Sequence, residues 1–232
     1  GNMLNVSVVK GIGPKAVTLL NKLGIYTIDD LVTHYPFRYD ILKRSDLSQV
    51  TADEKVIMDG KVESVPILLR FKAGLNKLNF RLVTANGVIG VSIFNRAFMK
   101  NNLTIGTNVI VIGKFDRTKN ILTASDIKFG LLNNQAKIEP VYHCTNGLTN
   151  KNLSTYINTA ILFHGKEITD YIPSYLQEKY HFSNKRTALN IVHNPPTLEK
   201  LKEAQIRLKY EELFTFMFKI NSVSYTHLRA HE

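Results

Sequence analysis

Residues 77–103 read KLNFRLVTANGVIGVSIFNRAFMKNNL, and the period of their apolar residues decides the fold class. Lys77–Ala85 and Val88–Phe94 have a period of two, which sets alternate side chains on opposite faces of a strand. Asn86-Gly87 between them is a strong hairpin signal. After Phe94 the period changes. Phe98 follows four residues later, a spacing that puts two side chains on one helical face. A strand therefore ends at Phe94-Asn95-Arg96 and a short helix or tight loop begins, with two phenyl rings near each other at the junction. At this point two readings stand: the rings plug the bottom of a β-barrel, or they stack on nucleic-acid bases.

Working outward, the same period holds from about Lys55 to Gly130. It gives five strands, over Lys55–Leu69, Lys77–Ala85, Val88–Phe94, Asn108–Phe115 and Ile121–Phe129, with a helical insertion over Asn95–Leu103 and a turn at Lys119-Asn120. Three strands, a short helix and two strands is the order of an OB-fold, a partly open Greek-key barrel that binds oligonucleotides on one face. Gly60 fits a bulge or bend that lets the first strand serve both sides of the barrel.

The flanks are helical. Val6, Val9, Ile12, Val17, Leu20 and Leu23 recur at helical intervals, interrupted by Gly11-Ile12-Gly13-Pro14. Pro14 suits a first turn, Gly24 a C-terminal stop, and Thr27–Val32 a short capped helix ending before Pro36. Beyond Ile138, Pro140, Gly147, Pro173 and Asn194-Pro195-Pro196 divide the chain into short helices. The last begins at Thr197 as N-cap with Lys200 at N3. The sequence thus predicts an α+β chain: an N-terminal helical hairpin over 3–50, a five-stranded OB-fold barrel over 51–132, and a helical segment over 133–223. Gly1-Asn2 and residues 224–232 read as vector-derived ends.

Charge narrows the partners. The 232 residues carry 30 Lys and Arg against 19 Asp and Glu, a net +11, which points to nucleic acid or an anionic surface. No stretch approaches the roughly 18 apolar residues of a membrane span, so a membrane partner is not expected. The single Cys144 forms no intramolecular disulfide and suits a reducing cytoplasm. Residues 53–130 hold 12 basic against 6 acidic side chains. Arg70, Lys72, Lys77 and Arg81 gather around the first hairpin, and Arg96 and Lys100 lie in the insertion. Phosphate contacts by such a cluster make binding strongly salt-dependent. With those charges adjacent, Phe94 and Phe98 lean towards base stacking.

Gly11-Ile12-Gly13-Pro14-Lys15 is similar to the hairpin of a helix-hairpin-helix motif, in which glycines let a phosphate approach helix N–H groups and Lys15 favours the anion. The same glycines also suit a plain tight turn. The histidines are scattered and none pairs with Cys144 at a zinc-like spacing. No G-x-x-x-x-G-K-[ST] occurs, so neither catalytic nor metal residues nor a cofactor are predicted in this chain.

In their order the motifs resemble the N-terminal region of the RecG family of bacterial ATP-dependent DNA helicases. The resemblance runs through Gly11–Lys15, Leu23-Gly24-Ile25, Asp30-Leu31 and Tyr35–Asp40. It continues through Phe94-Asn95 with Phe98-Met99, Ile112-Gly113-Lys114, Pro140-Val141-Tyr142, Gly147-Leu148, His193-Asn194-Pro195 and Ala204–Leu213. It implies a wedge domain inserted at the branch point of a replication fork. Phe94 and Phe98 match the family's stacking pair, whose second member is often tyrosine, and Asn95 lies between them. It implies branched DNA (forks and Holliday junctions) and single-stranded DNA as partners in recombination and repair, and a cytoplasmic, nucleoid-associated location. It further implies that two motor domains of the parent chain, which bind ATP and Mg, follow this segment and are its partners. A self-contained OB-fold binder of single strands is the main alternative, and an RNA-binding module of a tRNA enzyme a third. The apolar run Phe214, Phe216, Met217, Phe218, Ile220 argues for a larger parent, because it covers most of a helix circumference.

Overall fold

In the computed structural model, residues 4–133 and 136–230 are described, without the side chains of 220–230. The ends read as vector-derived fall partly outside them: Gly1-Asn2 and residues 231–232 wholly, and 224–230 as to side chains, as does Ile220.

The chain forms two units, one of residues 41–137 and one that joins 1–40 to 138–232. The expected boundaries near 50 and 132 thus lie at 40/41 and 137/138, and the two helical flanks are one unit. Their shared core explains why: Val6, Leu20, Ile28 and Leu31 from the first flank bury with Leu153, Ile157, Leu189 and Leu208 from the second.

In the helical unit, α1 (Pro14–Lys22) starts with Pro14 in its first turn and stops at Gly24, where φ is 80°. Ile25 N–H donates to Leu20 O at 3.0 Å and Gly24 N–H to Asn21 O at 3.0 Å, the reciprocal closure that a left-handed glycine allows. Among the described residues before Gly11 the helical element is a 3-10 turn, Val6–Val8, so the expected first helix of the hairpin is a single turn there. In α2 (Ile28–Val32), Thr27 and Asp30 form a capping box. The strand β1 (Arg38–Leu42) carries the chain out of this unit and pairs with β8 (Lys137–Val141), by which it returns. Neither short strand was evident from alternation, and Pro140 inside β8 reads as a breaker. The helices α3 (Asn150–His164), α4 (Ser174–Lys179), α5 (Lys185–His193) and α6 (Leu198–Ala230) complete the unit. Thr197 caps α6 through Lys200 N–H at 3.1 Å, and the helix continues past 223 to Ala230.

The barrel unit contains β2 (Val56–Val62), β3 (Ile67–Arg70), β4 (Asn76–Thr84), β5 (Gly87–Phe94), β6 (Asn108–Asp116) and β7 (Ile121–Phe129). Their order is β2-β6-β7-β5-β4-β3, and β2 also pairs with β4, which closes five strands into a barrel with β3 outside. The first predicted strand is therefore two. Both pieces face β4 in the same antiparallel sense, Val62 opposite Leu82 and Ile67 opposite Asn79, and the ladder is interrupted between them around Pro66, which has no N–H to donate. Gly60 does serve both sides, opposite Val109 on β6 and Thr84 on β4. A Cβ there would lie 2.0 Å from Val83 O, so only glycine permits this closure. A register shift sits elsewhere: Ile112 and Gly113 on β6 face Asp126 and Ala124, so Ser125 of β7 is the extra residue. At the hairpin, Ala85-Asn86 form the turn and Gly87, at φ 104°, takes the left-handed position after it, the geometry of a turn followed by a glycine bulge. Inside, Leu78, Phe80, Leu82, Ile89, Val91, Ile93, Val109, Val111 and Leu122 are buried.

Candidate nucleic-acid interface

The junction that follows β5 is built by one strained residue. Asn95 has φ 56°, a conformation that asparagine tolerates better than most side chains. Its N–H donates to Asn76 O at 3.0 Å, and its Oδ1 accepts from Asn76 N–H at 3.3 Å. Two bonds to β4 thus hold the sharp exit from the strand. The chain then enters the 3-10 helix Ala97–Asn102. Its inward side chain is Met99, 7% exposed, while Phe98 is 75% exposed and Phe94 40%. The rings do not plug the barrel; Met99 and Leu103 do.

Strand register places the charges around these rings. Phe94 lies opposite Lys77, and Lys77 opposite Leu69 on β3, so the three share the outer face. Lys77 Nζ stands 5.6 Å from the Phe94 ring centroid, within cation–π range. Arg70 ends β3, Lys72 lies in the turn to β4, and Lys100 is in the 3-10 helix; all three are exposed. Arg96 is half-buried just before that helix. Arg81 is exposed further along β4, with its Nε 3.1 Å from Glu63 Oε2, so part of its charge is answered. The structure thus gathers Phe94, Asn95, Arg96, Phe98, Lys100, Arg70, Lys72 and Lys77 at one end of the barrel, with Arg81 on the same strand. Lys15 is exposed in the first turn of α1 and belongs to the helical unit.

The sequence reading gathered Arg70, Lys72 and Lys77 around the β3–β4 hairpin but missed its exposed apolar side chains. Ile67, Leu69, Phe71 and Leu75 are between 40% and 61% exposed there. Their signal was present in Pro66 and in Lys72-Ala73-Gly74, where Ala73 at φ 63° and Gly74 at φ 74° turn the chain. Of the net +11, the barrel unit, with 15 Lys and Arg against 7 Asp and Glu, carries +8. Among the described residues no group of three His, Cys, Asp or Glu could hold a metal ion. No described helix is long and apolar enough to cross a membrane.

The RecG wedge domain model matches residues 5–163. The chain is 35% identical over 94% of its length to the ATP-dependent DNA helicase RecG of Bacillus subtilis, and 30% identical over 92% to that of Streptococcus pneumoniae. It spans about a third of those relatives, 32% and 31% of their lengths. A solved structure of RecG bound to a three-way DNA junction superposes on 93% of the chain with a TM-score of 0.75 at 26% identity, and 30% of that protein is covered. A family match across 5–163, on the closed barrel described above, means that this chain belongs to the RecG wedge domain family.

Proposed function

We propose that this chain is the branch-recognition part of a fork-remodelling ATP-dependent DNA helicase, and that Phe94 and Phe98 stack on bases where the strands part. The observation that carries the reading is the exposure of both rings, 75% for Phe98 and 40% for Phe94, on the unit that carries +8 of the net +11. A large ring left in solvent without a packing role is available for a base, and stacking tolerates any base because each has a π face. Asn95 holds the pair in place, Lys77, Arg70, Lys72, Arg96 and Lys100 contact phosphates around it, and Arg81 follows along β4. Lys15 offers a separate phosphate contact at the start of α1. The partners are forks, Holliday junctions and single strands in bacterial recombination and repair, in the cytoplasm.

ATP and Mg belong to the remaining two thirds of the parent chain, together with the motor domains that are this segment's partners. The residues present do not fit them. The glycines at 11 and 13 lead into α1 without the Lys-Ser/Thr that a phosphate-cradling loop needs, and no described carboxylate cluster suits a metal. The chain alone hydrolyses no ATP.

The test compares a fork, a linear duplex and a single strand at matched salt by fluorescence anisotropy, with an ATPase assay on the same protein. Tighter binding to the fork than to the duplex, without DNA-stimulated hydrolysis, is expected. Equal affinity for fork and duplex contradicts the reading. A preference for single strands over forks would instead favour a simple single-strand binder.

A further inference from the structure

Two of the stretches that carry the family resemblance, Tyr35–Asp40 and Ala204–Leu213, meet in the helical unit at a cleft of about 280 Å³ that DNA recognition leaves unused. Tyr35, Pro36 and Tyr39 form one wall, and Gln205, Leu208 and Glu212 of α6 the other. Its shape is preset. The Tyr39 hydroxyl donates to Val192 O at 2.8 Å, and the Tyr35 ring stacks on His193 with centroids 6.2 Å apart. Leu208, 5% exposed, makes an apolar floor.

The polar groups of this cleft are unpartnered. The neighbouring Glu211 has two cations, Arg207 Nη1 at 2.8 Å and Lys185 Nζ at 2.6 Å. Glu212 has no ion-pair partner among the described residues, and neither the Tyr35 hydroxyl nor the Gln205 side chain has a hydrogen bond among them. Burial, and then the charges of Glu212 and Glu211, hold the Tyr35 phenol above its ordinary pKa, so its hydroxyl lies in the field of both carboxylates. Lys209 at the rim is exposed and forms no ion pair with Glu212, which leaves the carboxylate open.

Such a lining suits a flat cation. A carboxylate, a phenol oxygen and an amide oxygen all accept hydrogen bonds, and aromatic walls attract positive charge. The guanidinium of arginine is planar, always charged, and carries five donors in a fixed fork. A phosphate fits poorly, because Glu212 repels it. One turn further along the same face of α6, Phe216 is 58% exposed, and a spacing of four makes it the neighbour of Glu212 on the helix surface. An exposed aromatic beside a pocket for a cation is the make-up of a protein contact, in which arginine and aromatic side chains are the usual anchors.

We infer that this cleft docks an arginine side chain presented by a partner protein, with Glu212 and Tyr35 holding the guanidinium and the residues beside that arginine covering Phe216. The inference goes beyond DNA recognition and does not depend on the stacking role of Phe94 and Phe98.

The probe is acetylated, amidated arginine, titrated into the whole chain and followed by NMR of Tyr35, Tyr39 and Glu212. Saturable shifts at these residues are expected. The citrulline counterpart, of the same shape without the charge, and inorganic phosphate should produce none. An acetylated Leu-Arg-Leu tripeptide should bind more tightly and shift Phe216 as well. Glu212→Gln should weaken arginine binding on the order of tenfold, the size of one hydrogen bond to a charged group. Tyr35→Phe, which keeps the ring, should weaken it in the same direction, and Lys209→Met should not weaken it. The melting temperature and fork affinity of Glu212→Gln should match wild type. Absence of saturable shifts overturns the inference, as does an equal response to citrulline, tighter binding of phosphate than of arginine, or a tripeptide that leaves Phe216 unmoved. Unchanged arginine affinity in both Glu212→Gln and Tyr35→Phe overturns it too.

Discussion

His193 shows how much one side chain fixes in the helical unit. It is 1% exposed, with Nε2 2.7 Å from Val32 O and Nδ1 2.7 Å from the Tyr142 hydroxyl. A carbonyl only accepts, so Nε2 carries the proton and the neutral ring accepts from Tyr142 through Nδ1. Burial pushes the imidazole pKa down to about 4, against the Val32 carbonyl bond that favours the charged ring. A base whose folded pKa lies below its unfolded value refuses a proton that the unfolded chain accepts. Stability is therefore complete above about pH 6.5 and declines as pH falls towards 4, by roughly 2–3 kcal/mol at pH 4.5. Asp170 has its carboxyl held low despite burial, by Arg207 and backbone N–H groups, so it loses stability only at still lower pH. Urea unfolding at pH 7 and 4.5 checks this. His193→Gln should flatten the decline, and an equal decline in that variant would place its cause elsewhere.

At the scale of elements, the barrel is closed by places where no side chain fits. A Cβ on Gly113 would lie 2.0 Å from Thr123 O, so Gly113→Ala must push β6 away from β7 at the bulge. We expect a loss of about 3 kcal/mol or more, read by denaturant unfolding; a loss below about 1 kcal/mol would mean the ladder yields easily. The β3–β4 hairpin carries charge rather than closure. Replacing Arg70, Lys72 and Lys77 by Ala should shallow the salt dependence of fork binding by about one log–log unit per lost contact. An unchanged slope would make them a solvated face. The α6 helix holds a different kind of element-scale feature. Arg207, 1% exposed, binds Asp170 Oδ1, Glu211 Oε1 and Ser183 O, and Lys185 Nζ lies 2.6 Å from Glu211 Oε2. Two acids and two bases balance inside the unit, which satisfies each buried charge.

Across the whole molecule, what the sequence disclosed was local. The period of two, the hairpin turn at Asn86 with Gly87 after it, and the caps at Thr27 and Thr197 each depend on a few neighbouring residues, and all are present. Phe94 and Phe98 do not share a helical face as their spacing suggested, since one ends β5 and the other lies in the 3-10 helix, but both are exposed, as the stacking reading requires. The misses are long-range. Lys55–Leu69 is interrupted around Pro66 yet pairs with β4 on both sides of it, and β1 pairs with β8 nearly a hundred positions later. The Asp170–Arg207 pair spans 37 residues, and nothing in either local sequence announces it. Division of the chain into two units, with the barrel inserted between 40 and 138, follows from the same long-range core.

The central claim is that Phe98 works in the bound complex and not in the folded core. Its ring is 75% exposed, so removal creates no cavity. Melting and fork affinity of Phe98→Ala, measured on one preparation against wild type, test this directly. The account predicts an unchanged melting temperature and fork binding weaker by about 1–3 kcal/mol, the range for one lost base stack. A stability loss of roughly 3–5 kcal/mol, as for a buried phenylalanine, with unchanged affinity of the folded fraction would contradict it.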